Sequence, residues 1–401
     1  MGQQHGPETY AENWLHEQID STLAFYYPTC IDEENGGYNH SFYDDGELSP
    51  YSTKHLVGTC RFIYNFSIGA ILGKGGFCLE AAEHGLRFLQ EHHQDKVNGG
   101  YYWTLDGQLV TEDTKYAYGH AFVLLAASKA YTAGIEWAGD VIDSVYKVLE
   151  EHFWEDAYHL YADELSADWS EVAEYRGQNA NMHMTEAMIA AYEATSYQKY
   201  LDRAYQLADA VTGRLTFQTK GLVWEHFTPE WEPDWTFVET DESKQEFRPH
   251  GFVPGHSIEW SKLLIMLDRH ISEPWMTDRA VHLYQEAYQK GADMVYGGII
   301  YSISADKITM DTDKYYWVQA ETFGASALLA RKLNNPAYWQ RYEAMLDYCS
   351  NIFIDHAHGG GWYNMLFRDN IRQSPIKSEK AKADYHPIAN YYETLRVLGA
   401  D

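Results

Sequence analysis

Apolar positions recur at helical spacing in a series of paired runs, and each pair is set off by a short glycine- or aromatic-rich turn. The spacing predicts helices over 53–72 and 77–93, then 114–130 and 137–153, then 182–195 and 199–215. Further pairs follow over 257–269 and 275–291, and over 317–333 and 336–353. A last helix is expected over 387–398, and one over 10–25 can close a ring against it. The turns are NGGYNHSFYDDGE from Asn35, NGGYYWTLDGQ from Asn98 and a degenerate WEDAYHLYADE from Trp154, then GLVWEHFTPEW from Gly221, GGIIYSISADK from Gly297 and GGGWYNMLFRDN from Gly359. They return about every 60 residues, a period that marks a repeat architecture.

Six helix pairs joined by short hairpins predict an all-α fold, an (α/α)6 barrel with short β-hairpins in its connecting loops, formed by one domain over 1–401. An open helical solenoid of the same period is the alternative. The first helix of each pair favours the barrel, because it carries polar residues of a kind that an inner ring around a cavity would use: Arg61, Asn65, His120, His183, His256 and Glu321.

Composition narrows what such a cavity could bind. The chain has 401 residues, which would otherwise make two or three ordinary domains. Its 59 acidic and 30 basic residues give a net charge of −29, which repels phosphate backbones and anionic lipid, so neither nucleic acid nor membrane is an expected partner. Aromatic residues make up 15% of the chain, enough for a packed core and also for a cleft lined with flat rings that suit a sugar. The cysteines Cys30, Cys60, Cys78 and Cys349 show no CxxC spacing, no apolar run of 18 residues occurs, and the N-terminus reads as a polar lead into a helix. A reduced, cytoplasmic enzyme, monomeric or homodimeric, is the expectation. No phosphate-cradling glycine loop is present, and a phosphorylated sugar would enter against the net charge. A small neutral monosaccharide is the expected substrate.

Two of the first helices begin with His-x-x-Glu: RGQNANMHMTEA carries His183 and Glu186, and HGFVPGHSIEW carries His256 and Glu259. Residues three apart share a helix face, so each histidine is expected to lie over its own glutamate. His386, in KADYHPIAN, occupies the matching start of the last helix. Two histidines with two carboxylates are also a plausible metal ligand set, although no short ligand spacing beyond i,i+3 supports one. Arg61 interrupts an apolar helix, where its guanidinium needs a cavity or a partner. Tyr118, Asn179 and Trp317 are further ligand candidates, and Glu321 shares the face of Trp317 one turn on.

RGQNANMHMTEA, GFVPGHSIEW, WVQAE and the late YHP together resemble the N-acylglucosamine 2-epimerase superfamily, over nearly the whole chain and in the expected order. That superfamily includes mannose isomerases, sulfoquinovose isomerase and cellobiose 2-epimerases. PGHSIEW and NANMH are most similar to its aldose–ketose isomerase branch acting on D-mannose. The resemblance implies an (α/α)6 barrel, catalytic histidines at His256 and His386, a third site histidine at His183 and a substrate-binding arginine at Arg61. It implies substrate contacts at Tyr118, Asn179 and Trp317, and no metal or nucleotide cofactor. A sulfonate pocket is not discernible.

The expected chemistry moves a proton between C2 and C1 of mannose, or of lyxose, through a cis-enediol. His386 would act at carbon and His256, supported by Glu259, at the oxygens, while Arg61 holds the enediolate charge and Glu186 fixes His183. Protonation of C2 from the opposite face would instead make a sugar 2-epimerase. An inverting glycoside hydrolase would use two carboxylates about 6.5–9.5 Å apart, such as Glu259 and Glu321. A non-catalytic binding toroid would use none of these groups. The acidic stretch from Glu230 to His250 lacks helical period and is read as a lid or a solvated loop.

Overall fold

The computed structural model describes residues 7, 9–245, 247–306 and 308–399, so most of the polar N-terminal lead lies outside the described residues. Twelve helices dominate them. They are α1 (Glu12–Tyr26), α2 (Leu56–Ile71), α3 (Gly76–Phe88), α4 (Ala117–Thr132), α5 (Ala138–Val148), α6 (Gln178–Thr195) and α7 (Gln198–Ala208). The second half adds α8 (Pro254–Asp268), α9 (Pro274–Gly291), α10 (Tyr316–Leu333), α11 (Pro336–Ile352) and α12 (Tyr385–Leu398). Helices α3, α5 and α7 each run on into a wider π-helical turn, which accounts for the longer runs read from the sequence.

Burial separates the helices into two rings. Every residue of α8 is buried, and so is every residue of α2 from Leu56 to Gly69. In α5 only Ala138, Val141, Ile142 and Val145 are, an i, i+3, i+4, i+7 stripe that lays one face on the core. The even-numbered helices thus form an inner ring, each packed against the next, with α12 returning to α2. The odd-numbered helices lie outside, and α1 docks on α12 through the edge-on contact of Trp14 with Tyr391.

Short antiparallel strand pairs at the starts of the inner helices close the same circle. Thr53–His55 pairs with Thr104–Asp106, Lys115–Tyr116 with Glu164–Leu165, and Arg176–Gly177 with His226–Phe227. Phe252 bridges Ile303, Lys314–Tyr315 pairs with Met365–Leu366, and Ile376–Ser378 returns to Phe42–Tyr43. Each unit is stitched to the next and the last to the first, so the helices form a closed (α/α)6 barrel and the open solenoid is excluded.

A repeated ion pair fixes these joints. Lys54, Lys115 and Lys314, each two residues before an inner helix, and Lys377, in the strand that precedes α12, reach back 2.7–3.2 Å to Asp32, Asp95, Asp293 and Asp355 in the preceding turns. Arg176 and Glu155 replace the pair in the degenerate third unit. The other carboxylate oxygen of Asp95 accepts from the backbone N–H of Val97 and Asn98, so the turn is closed by the residue that anchors the lysine. These turns need a left-handed residue: Gly36 supplies φ 79°, and in the degenerate turn His159 takes φ 55°.

Candidate active site

The inner helices start around a cavity of roughly 560 Å³, walled by residues from all six of them and by Val238, Glu239, Gln245 and residues 247–250. Arg61, Tyr118, Asn179, His183, His256, Glu259, Trp317 and His386 all face it, as the sequence led one to expect. Glu186 and Glu321 do not line it; each stands behind a histidine. Asn65 and His120, also expected on the inner surface, serve the backbone instead. Asn65 donates to the Ala383 carbonyl at 2.6 Å, and His120 Nε2 accepts from the Tyr101 N–H at 3.1 Å.

His386 is held from behind. Its Nδ1–H donates to Glu321 Oε1 at 2.7 Å, and the same oxygen accepts from Asn390 Nδ2 at 2.8 Å. Asn390 reaches that position because residue 324 is glycine, whose Cβ would lie 1.8 Å from the amide oxygen. With Nδ1 committed, Nε2 is the basic nitrogen, and it lies 3.4 Å from Arg61 Nη2. Burial, reinforced by the positive charge of Arg61, holds the His386 imidazole well below its ordinary pKa.

The expected pairing of His256 with Glu259 is corrected. His256 Nδ1 lies 3.0 Å from both carboxylate oxygens of Glu225, a residue of the preceding turn. Its ring stacks on Trp317 at 4.9 Å between centroids. Gln178 completes the support, donating to Glu225 at 2.8 Å and accepting from Trp260 Nε1 at 2.7 Å. The i,i+3 rule does hold for the other pair, with His183 Nδ1 at 3.2 Å from Glu186 Oε2. Burial lowers the pKa of His183, against the pull of Glu186.

Glu259 closes the floor. Neither carboxylate oxygen has a hydrogen-bond partner among the described residues, and His183 Nδ1 is 4.0 Å away. Burial, then the nearby Glu321 charge, pushes its pKa well above the carboxylate range. Arg61 crosses the opposite wall, donating to the Ala381 carbonyl at 2.7 Å and to Tyr118 Oη at 3.3 Å, sandwiched by Phe122 and Tyr385. Lys382 also lines the cavity; burial pushes it down to about 8, and it pairs with Asp384.

The stretch read as a lid or a solvated loop forms part of the wall. Phe247 packs on His55, Trp103 and Tyr118, and its carbonyl accepts from Asn179 Nδ2 at 3.0 Å. Arg248 ties the segment down through Glu164 at 2.7 Å and Glu239 at 3.0 Å.

Two sets of donors are close enough to hold a cation: His183 with Glu186 and Glu259, and Glu259 with Glu321 and His386, each within 4.8 Å. A cation already lies among these carboxylates. Lys262 Nζ is 2.5 Å from Glu321 Oε2, and burial of its ammonium is outweighed by Glu321, Glu259 and Glu186, which keep it protonated. Glu225, Gln178, Lys262, Lys382 and Phe247 were not singled out from the sequence. For Lys262 the signal was there: like Arg61, it interrupts an apolar helix.

Residues 36–389 match the N-acylglucosamine 2-epimerase (GlcNAc 2-epimerase) family. A protein named D-mannose isomerase from Marinomonas mediterranea is 42% identical over 98% of this chain and 99% of its own length. One of the same name from Thermobifida fusca is 31% identical over 80% of each chain. A crystal structure of D-mannose isomerase superposes with a TM-score of 0.93 at 41% identity, covering 98% of this chain and all of the other. With the same helical ring and a family match across most of its length, this chain belongs to the N-acylglucosamine 2-epimerase family.

Proposed function

We propose that the chain is a single-domain aldose–ketose isomerase that interconverts free D-mannose and D-fructose through a cis-enediol. The observation that carries this reading is a cavity faced by His183, His256 and His386, each with its Nδ1 held by a buried carboxylate. Similarity to the relatives named D-mannose isomerase supports the choice of sugar.

His386 Nε2 takes the C2 proton of the open-chain aldose. The C2–H electron pair forms the C1=C2 bond, while the carbonyl electrons go to O1, which is protonated. Loss of the O2 proton then forms the C2 carbonyl, and His386 returns its proton to C1 on the same face. His256, oriented by Glu225, opens the ring and carries protons at the oxygens. Each such role is worth about 10²–10⁴ in rate. Arg61 balances the enediolate charge. Glu259, whose burial makes it a weaker acid than an ordinary carboxyl group and which has no hydrogen-bond partner among the described residues, faces the substrate oxygens. Tyr118, Asn179, His183 and Trp317 bind hydroxyls and the sugar face, with Glu186 fixing His183.

None of these roles requires a metal or cofactor. Among the described residues no helix is long and apolar enough to cross a membrane, and all four cysteines are free and buried, which accords with a cytoplasmic setting.

A 2-epimerase is the second reading, favoured by the presence of more than one imidazole on the cavity. A panel of D-mannose, D-lyxose, N-acetylglucosamine and cellobiose with product identification separates the two. Fructose from mannose is the expected product, and an aldose epimer without ketose would replace the first reading with the second.

A further inference from the structure

Lys262 lies on α8 one turn beyond Glu259 and is 1% exposed. A single carboxylate, Glu321, bridges it to His386: Oε2 meets the ammonium at 2.5 Å and Oε1 the imidazole at 2.7 Å. The carboxylate behind His256 is built differently. Glu225 takes its second hydrogen bond from the neutral amide of Gln178. We propose that Lys262 is a positioning residue that governs how readily His386 accepts a proton, by drawing on the charge of Glu321; this rests on His386 being the carbon base.

A carboxylate stabilises a neighbouring imidazolium by its negative charge, and an ammonium on its other oxygen opposes that stabilisation in a site with little water to screen it. Lys262 faces carboxylates from three helices: Glu259 beside it, Glu321 on α10 and Glu186 on α6. His386 faces Arg61 and His183 as well as Glu321. Tyr385 and Tyr64 close the remaining side, both kept neutral by burial. Toward the closed end, Glu193 and Glu393 are matched by Lys129, Arg396 and Arg269. Lys262 is therefore the cation whose removal changes Glu321 directly. A base poised low enough to stay free at neutral pH, yet able to hold the proton during the enediol, is what a weak carbon acid demands.

The test compares the full-length wild type with Lys262→Met and Lys262→Arg. Two readouts are needed: the pH profile of kcat/KM on D-mannose, and an NMR titration of the His386 ring, assigned with His386→Gln. In Lys262→Met the ring should take its proton about one pH unit or more higher, whether Glu321 stays ionised or shares the proton. The kcat/KM loss should then be about tenfold greater on the acid side than at pH 9. Lys262→Arg should titrate within about 0.3 unit of wild type. Should Lys262→Met fail to fold, Lys262→Gln carries the same prediction. A ring titration in the charge-removed variant that coincides with wild type overturns the proposal. A shifted ring with an unshifted activity profile upholds the Lys262 coupling and instead overturns His386 as the base.

Discussion

The imidazole of His256 is held by the carboxylate of Glu225, 31 residues earlier in the chain, with both oxygens 3.0 Å from Nδ1. The acceptor fixes the tautomer and leaves Nε2 to meet substrate. Glu225→Gln keeps the shape but presents an amide that can donate to Nδ1, which would put the ring proton on the wrong nitrogen. Steady-state assay should show kcat down by about 10²–10⁴ with KM changed only a few-fold, as for an oriented histidine that loses its carboxylate. A loss smaller than threefold would remove Glu225 from the mechanism.

Phe247 plugs the gap between His55, Trp103 and Tyr118 at the cavity mouth, and its carbonyl holds Asn179. Phe247→Ala deletes the plug without touching the histidines. We expect KM to rise about tenfold and kcat to fall less than about threefold, the pattern of lost uniform binding. An equal drop in kcat and kcat/KM would place Phe247 in the chemical step.

Buried neutral histidines make the fold acid-sensitive. Burial lowers His40, His120 and His226 to about 3 and His93 to about 4, from 6.5. Depressed folded values mean that the unfolded chain binds these protons first. Their contribution to stability is whole above about pH 6.5 and is lost as pH falls toward 3–4. Four such groups cost about 5 kcal/mol per pH unit near pH 5. Denaturant melts at pH 7.5 and pH 5.0 should differ by several kcal/mol; equal stabilities would show that these rings are not held neutral.

The lysine–aspartate joints should matter for folding and not for chemistry. Lys115 and Asp95 are both almost fully buried at 2.8 Å. Lys115→Met strands the carboxylate, and breaking one side of such a pair costs about 3–5 kcal/mol. Equilibrium unfolding should show that loss while kcat per folded molecule stays near wild type.

The barrel was legible because its period is written in turns and helix pairs, and the histidines because each lies in the first two turns of an inner helix, His256 and His386 in the first and His183 in the second. What the sequence hid depends on neighbours across units. The i,i+3 rule holds for His183, well inside α6, but His256 sits in the first turn of α8, where Glu225 and Trp317 of adjacent units compete for the ring and win. Glu321 shares a helix face with Trp317, as expected, yet the same face passes from cavity to core within one turn, so it serves His386 from behind. The Asp–Lys joints also recur with the period, but an Asp and a Lys some 20 residues apart look like ordinary surface charge until the turn folds back. The lid-like stretch has no period, and only packing reveals Phe247 as its anchor.

The central claim is proton transfer between C2 and C1 on one face of an enediol. Incubating the enzyme with D-mannose in D2O and following the sugars by NMR tests it directly. Fructose is the expected product, with deuterium at C1 to the extent that the proton on His386 exchanges with solvent before it is returned, and with no activity in His386→Gln. Glucose deuterated at C2 in the absence of fructose would contradict it.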